Sequence, residues 1–274
     1  MQFRTLDEFY DRFGPDVYIS GMARSATTFV SGAYYKYLKY QKGIEKYFLG
    51  EVFTPGCIIK LQNNKPVWIS HKFALPAQTD RWDARVWGGD YLNKEVLDYI
   101  LENNMLKDCF MKIFTLQNKI NQIAYSNFTE KLNKILKPIN LVRKDEVRRI
   151  ISYFYMFETS KPHYYTSTFS GKITRKKFTI SLEKLVLTLF RAEVTWATLS
   201  QLQKEGHDIV YAEDILFKDL YPKEFPSMPM IFIDKNEIYK NDIENYEEVK
   251  NIIIDFMSKS PYLKFVDEEL IEIC

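Results

Sequence analysis

Cysteine is scarce in this chain of 274 residues: there are three, Cys57, Cys109 and Cys274, odd in number, far apart and without a CxxC pair. That usage points to a reducing compartment and away from structural zinc. Long apolar runs are lacking too. Nothing approaches the ~18 to 20 apolar residues of a membrane span, the longest pieces being as short as Leu185 to Phe190. The opening MQFRTLDEFYDRFGPD is charged throughout and lacks the apolar stretch of a secretory signal, so a cytoplasmic location is expected. Nor does charge of one sign prevail: 38 Lys and Arg against 36 Asp and Glu leave a formal +2. Global charge therefore argues for neither a nucleic-acid nor a membrane partner, and any anion must be held by local clusters. Ten glycines and ten prolines, with 46% hydrophobic and 27% charged residues, exclude a disordered chain. The length suits one large α/β domain, taken as residues 1–274 because no linker or internal repeat divides them.

What is present is an alternation of strand and helix signals. Asp16 to Ser20 reads as a short buried strand, and Thr27 to Tyr40 as a helix with Phe29, Val30, Ala33, Tyr34 and Tyr37 on its apolar side. Val67 to Phe73 alternates like a strand, and Leu92 to Asn103 has a helical period. Asp108 to Leu116 is a further strand, followed by a helical run to about Leu136. Ile139 to Val142 then reads as strand and Asp145 to Glu158 as amphipathic helix. A long helix from Ser181 to Glu205 stops at Gly206 and leads into the strand Asp208 to Ala212, and Tyr246 to Met257 is a last helix. This order predicts an α/β fold, a P-loop-like three-layer sandwich whose central, mostly parallel sheet is flanked by helices. Ligands of such sheets sit at the carboxyl ends of the strands. Arg24, Lys72, Arg143 and Glu213 all fall there in this reading.

The stretch DVYISGMARSATTFV carries the strongest chemical signal. A Walker A loop needs Gly, four residues and Gly-Lys-Ser/Thr, because the backbone cradles the phosphates while Lys reaches the outer ones. Aligned on Gly21, this chain has Ala26 at the second glycine, Thr27 at the lysine and Thr28 at the hydroxyl position. A nucleoside-triphosphate kinase is thereby disfavoured. What remains is a helix amino terminus, small hydroxyls and one cation, Arg24, enough to hold one terminal phosphate. With Ala in place of Gly, residue 26 is expected at negative φ.

GMARSATTF resembles the 5′-phosphosulfate loop of sulfotransferases that use 3′-phosphoadenosine-5′-phosphosulfate, PAPS, in the style of bacterial carbohydrate sulfotransferases. LVRKDEVRRIISYFY, Leu141 to Tyr155, resembles that family's 3′-phosphate motif, a strand ending in Arg followed by a helix carrying Ser, with Arg143 and Ser152 in those places. Their separation is nine residues, one more than in the commonest cytosolic form. GEVFTPG, Gly50 to Gly56, is similar to a GE-x-F-x-P stretch whose glutamate acts as base, and DIVYAED adds a fourth point of likeness. Little aligns after residue 220, where the carboxy-terminal Arg-Lys-Gly element of animal cytosolic members is not seen.

The resemblance implies in-line sulfuryl transfer from PAPS to a hydroxyl of a carbohydrate or small metabolite, with 3′-phosphoadenosine-5′-phosphate as product and no metal. Arg24, Ser25, Ala26, Thr27 and Thr28 would hold the 5′-phosphate, Arg24 also countering charge on the leaving group. Arg143 and Ser152 would hold the 3′-phosphate that ATP lacks. Glu51 is the first choice of base and His71 the rival, since an unactivated hydroxyl must lose its proton; Lys72 could steady the sulfonate. Arg148 and Arg149 read as a solvated helix face, Glu213 and Asp214 as caps of a following helix, and Lys172, Arg175, Lys176 and Lys177 as a solvated loop or a further phosphate contact. His163 and His207 read as loop residues. Two other classes stay open: a P-loop-type nucleotide or metabolite kinase, and a nucleotide-binding module of this fold without a working base.

Overall fold

The computed structural model describes residues 2–21, 27–52, 57–71, 93–114, 126–159, 177–215 and 236–262. The first element, α1 (Leu6–Phe13), starts at a capping box: the Thr5 hydroxyl accepts from the Glu8 N–H at 3.1 Å while the Glu8 carboxylate accepts from the Thr5 N–H. Thr-x-x-Glu before an apolar period is legible in the sequence as a helix start, yet it was not among the expected helices. Gly14, at φ 69°, ends the helix and turns the chain into β1 (Val17–Gly21). The expected helix after the loop is α2 (Thr27–Tyr40).

The strand β1 is buried along its whole length because both of its faces are covered. Val17 and Ile19 pack among α1 and α2 side chains such as Phe9, Phe13, Val30 and Tyr34. Tyr18 points the other way, as strand alternation requires. It packs with α3 (Lys94–Glu102) and α4 (Ser126–Ile135), and its hydroxyl donates to Asn133 Oδ1 at 2.7 Å. The strand expected over Asp108 to Leu116 appears as β5 (Cys109–Phe110) and β6 (Lys112–Phe114), with residues 115 and 116 outside the described ones. β7 (Lys137–Val142) and β8 (Ile209–Tyr211) follow the two expected apolar runs. All pairs in the sheet β6-β1-β7-β8 are parallel, with Gly21 in register with Phe114 on one side and Leu141 on the other. Beyond β5, the segment begun by β2 (Tyr47–Phe48) runs alongside: Leu49 N–H donates to the Phe110 carbonyl and Lys112 N–H to the Gly50 carbonyl, both at 2.9 Å.

One expectation needs correcting. Of Val67 to Phe73, the residues as far as His71 lie on a strand, β4 (Lys65–His71), while 72 and 73 lie outside the described residues; the strand pairs antiparallel with β3 (Cys57–Gln62) in a separate hairpin, not in the parallel sheet. Alternation reports one exposed face and is silent about which neighbour supplies the hydrogen bonds. Asn63 and Asn64, at φ 51° and 59°, make the two-residue turn, a pattern that Asn accepts more readily than other side chains.

The other half of the core gathers on α5 (Glu146–Thr159), α6 (Leu182–Lys204), α7 (Asn236–Asp242) and α8 (Tyr246–Lys259). Val142 enters it from β7 beside Ile150, Phe154, Leu189, Trp196 and Ile253. Each such side chain contributes about 1.5–3 kcal/mol by leaving water. Gly206, at φ 84°, closes α6 as expected, with His207 N–H reaching back to the Leu202 carbonyl at 2.9 Å. His207 itself is exposed. At the amino edge of the sheet, Asp208 meets Lys137 at 2.7 Å and Arg12 at 2.6 Å, and the Lys137 hydrogen bond does most to hold its carboxyl below the ordinary range. Among the described residues no helix is long and apolar enough to cross a membrane.

The carboxyl end of β1 leaves no space for a side chain at residue 21: a Cβ there would lie 2.5 Å from the Leu141 carbonyl oxygen and 2.8 Å from Thr27 Cγ2. In α2, by contrast, a Cβ at Gly32 would meet nothing within 4 Å. Gly21→Ala should therefore cost about 1–3 kcal/mol in urea unfolding, whereas Gly32→Ala should gain about 0.5–1 kcal/mol. Equal effects of the two substitutions would contradict this packing.

Candidate functional site

The connection after β1 leads to β6 on one side, and the connection after β7 leads to β8 on the other, given the order β6-β1-β7-β8. Neighbouring strands whose continuations diverge in this way leave a crevice at their carboxyl ends, where open α/β sheets bind ligands. That switch point falls at the ends of β1 and β7, where Gly21 and Leu141 are in register; in the sequence residues 22–26 follow the first and Arg143 the second. Arg24, Ser25 and Ala26, and with them the φ of residue 26, lie outside the described residues, as does the side chain of Thr28. Thr27 is buried at the first turn of α2.

On the β6 side the structure adds a residue that sequence reasoning missed. Lys112 sits opposite Ile19 with its side chain 4% exposed, and its ammonium forms an ion pair with the Glu51 carboxylate, itself 15% exposed. The signal was a lone lysine at a core position within the apolar run CFMKIF. Gly50, at φ 64°, sets the bend: its carbonyl accepts from the Lys112 backbone while the next residue returns its side chain to the same lysine. A Cβ on Gly50 would lie 3.0 Å from Trp68 Nε1, so the β3–β4 hairpin closes against this bend. The buried Asn93 ties the parts together, accepting from Ile59 N–H at 3.0 Å and donating to the Val52 and Cys57 carbonyls at 3.0 and 2.9 Å.

His71, the second expected base, is the register partner of Cys57 at the open end of the hairpin. The Cys57 thiol is pushed up to about 12, mainly by burial and then by the negative charge of Glu51. Cys57 is thus close enough to Glu51 to feel it, and it brings the His71 backbone to the same neighbourhood; the His71 side chain and Lys72 lie outside the described residues. A thiol held protonated this far above neutrality is no nucleophile.

On the β7 side, Asp145 caps α5, accepting the Arg148 N–H at 2.8 Å, rather than beginning it. Arg143 lies just before this cap. Its Nε donates to Glu213 Oε1 at 3.3 Å, and Glu213 Oε2 accepts from the Lys144 backbone at 2.9 Å. Glu213 and Asp214 form a short 3-10 turn after β8 that reaches back to the β7–α5 loop, and the segment they were expected to cap, from residue 216 on, lies outside the described residues. Ser152 is buried in α5, six residues past Glu146 and so about 9 Å further along the axis. Arg149 contradicts its solvated reading: it is buried, and it pairs bidentately with the fully buried Glu146, Nε to Oε2 being 2.7 Å. The i, i+3 spacing allowed this pair, but only the packing of α5 put it inside. Lys177 is exposed, and Lys172, Arg175, Lys176 and His163 lie outside the described residues.

Among the described residues no group of three His, Cys, Asp or Glu side chains is placed to hold a metal ion. No protein-family model, curated protein or solved structure matches this chain.

Removing one member of a buried ion pair leaves the other charge uncompensated. Lys112→Met should therefore destabilise the protein by about 3 kcal/mol in urea unfolding, and Lys112→Met with Glu51→Gln should recover more than half of that loss. A single-variant loss under about 1 kcal/mol would mean that the pair is solvated.

Proposed function

We propose that this protein is a sulfotransferase that moves a sulfuryl group from PAPS to a hydroxyl of a carbohydrate or small metabolite. The observation that supports this reading is the switch point between the paired ends of β1 and β7: the Arg24 segment follows the first strand in sequence, and Arg143 follows the second. Two cation-bearing loops on adjacent strands suit a nucleotide with phosphate at both its 5′ and 3′ positions, and the amino-terminal turn of α2 adds N–H groups for the 5′ end.

In this reaction the acceptor oxygen bonds to sulfur while the bond from sulfur to the 5′-phosphate oxygen breaks. The electron pair leaves with the phosphate, and the acceptor proton passes to Glu51. Arg24 and the helix N–H groups meet the charge growing on the leaving phosphate, which lowers the barrier because that charge is greater in the transition state than in bound donor. Lys112 is kept beside Glu51 by the ion pair, and in this reading it would supply a second positive charge near the reacting oxygens. A three-layer P-loop-like arrangement is the fold this chemistry uses, and the parallel sheet with helix-packed faces supports it.

Calorimetric titration with 3′-phosphoadenosine-5′-phosphate, AMP and ATP tests the donor. The bisphosphate should bind at least about ten-fold more tightly than AMP, and Arg143→Ala should remove that margin. Three nucleotides that bind alike would sink the assignment; ATP preferred with magnesium would favour a kinase instead. For the base, Glu51→Gln should lower turnover by roughly 10²-fold or more with bisphosphate binding retained. Turnover near wild type would pass the role to His71.

A further inference from the structure

Glu213 is not part of the two phosphate contacts expected from the sequence, yet it bridges the end of β8 to the Arg143 turn at the β7 side of the switch point. Val142 and Tyr211 are in register on β7 and β8, so the residues just past them, Arg143 and the 212–214 turn, come off the sheet side by side. From that turn Glu213 accepts three donors from the β7–α5 loop: Arg143 Nε at 3.3 Å, Lys144 N–H at 2.9 Å and, at the longer distance of 3.5 Å, Asp145 N–H. The next residue, Asp214, meets the Lys144 ammonium at 3.4 Å, which also lies 5.1 Å over the Tyr211 ring. The side chains of Arg143 and Glu213 are both partly covered, at 19% and 30% exposure.

A guanidinium offers donors on more than one edge in a fixed plane, so a carboxylate that takes Nε fixes the direction in which the remaining edge faces. A long, mobile side chain that must select its direction on binding loses affinity to that ordering; one already oriented does not. The same carboxylate also fixes the backbone from which Arg143 projects.

We infer that Glu213 is a positioning residue for phosphate selection: by holding Arg143 and the Lys144 amide from β8, it aims the guanidinium at the 3′-phosphate of the nucleotide. This rests on the donor reading above. Glu213 does not touch the nucleotide; it acts through Arg143. It should therefore affect a ligand that carries the 3′-phosphate and not one that lacks it, a distinction that a purely structural role would not produce.

The test is a double-mutant cycle read by calorimetry with 3′-phosphoadenosine-5′-phosphate and AMP, on wild type, E213Q, R143A and the double variant. E213Q keeps an acceptor for the Lys144 amide while losing the charge, so its bisphosphate affinity should fall at least about five-fold with AMP affinity unchanged within about two-fold. In the R143A background, E213Q should change bisphosphate affinity by less than about two-fold. Bisphosphate affinity equal to wild type overturns the inference. So does a parallel loss of both nucleotides, or a loss that persists undiminished without Arg143. Should E213Q fail to fold, E213D, which keeps the charge on a shorter arm, carries the same cycle, with the same results for and against. A wild type that does not prefer the bisphosphate over AMP removes the donor reading and this inference together, whereas a wild type and an E213Q variant that discriminate equally remove this inference alone.

Discussion

The contact on which the rest of the molecule depends is the close approach of β1 and β7 at Gly21. Backbone there meets backbone, with the Leu141 carbonyl where any side chain on residue 21 would have to go. That approach lets the parallel ladder run from Val17↔Lys137 to Gly21↔Leu141 without interruption, and it brings the first turn of α2 directly over the strand end. The end of β1 at Gly21 and the turn of residues 143–145 are neighbours for this reason. A wider spacing would separate two groups of positive charge that, in the proposed reaction, must grip one nucleotide.

On both flanks of this contact, ion pairs stand among the apolar side chains at the strand ends. On one flank Lys112 and Glu51 pair in a nearly water-free position; on the other Glu213 gathers Arg143 and the Lys144 amide. Buried pairs of this kind contribute little net stability, since desolvation offsets most of the attraction. What they supply is placement. Glu51 stands where a bend at Gly50, the side chain of Asn93 and the β3–β4 hairpin all converge.

The two flanks suit different tasks. The β6 side joins a carboxylate and an ammonium, the combination a proton transfer beside an anionic sulfonate would use. The β7 side joins an arginine to an acidic partner on the turn that follows the neighbouring strand, the combination that fixes direction. In the proposed reaction, acceptor choice would belong to segments other than the sheet edge, because the donor would occupy that edge.

Much of this was open to inspection in the residues alone. Strand, loop, helix at Asp16 to Tyr40, the apolar run before Arg143 and the helix stop at Gly206 all rest on local signals: consecutive apolar residues, hydroxyls before a helix, a glycine tolerating positive φ. The capping box at Thr5 was equally local and was passed over. The hairpin partner of Val67 to His71, the burial of Arg149 with Glu146 and the pairing of Lys112 with Glu51 were of another kind. Each depends on which distant segment lies alongside, and a run of residues does not carry that information until the chain has packed. Sequence by itself therefore determined the order of elements and the cationic loops at their ends. Tertiary structure alone decided which charges meet, because whether a lysine or arginine is solvated or paired is set by neighbours remote along the chain.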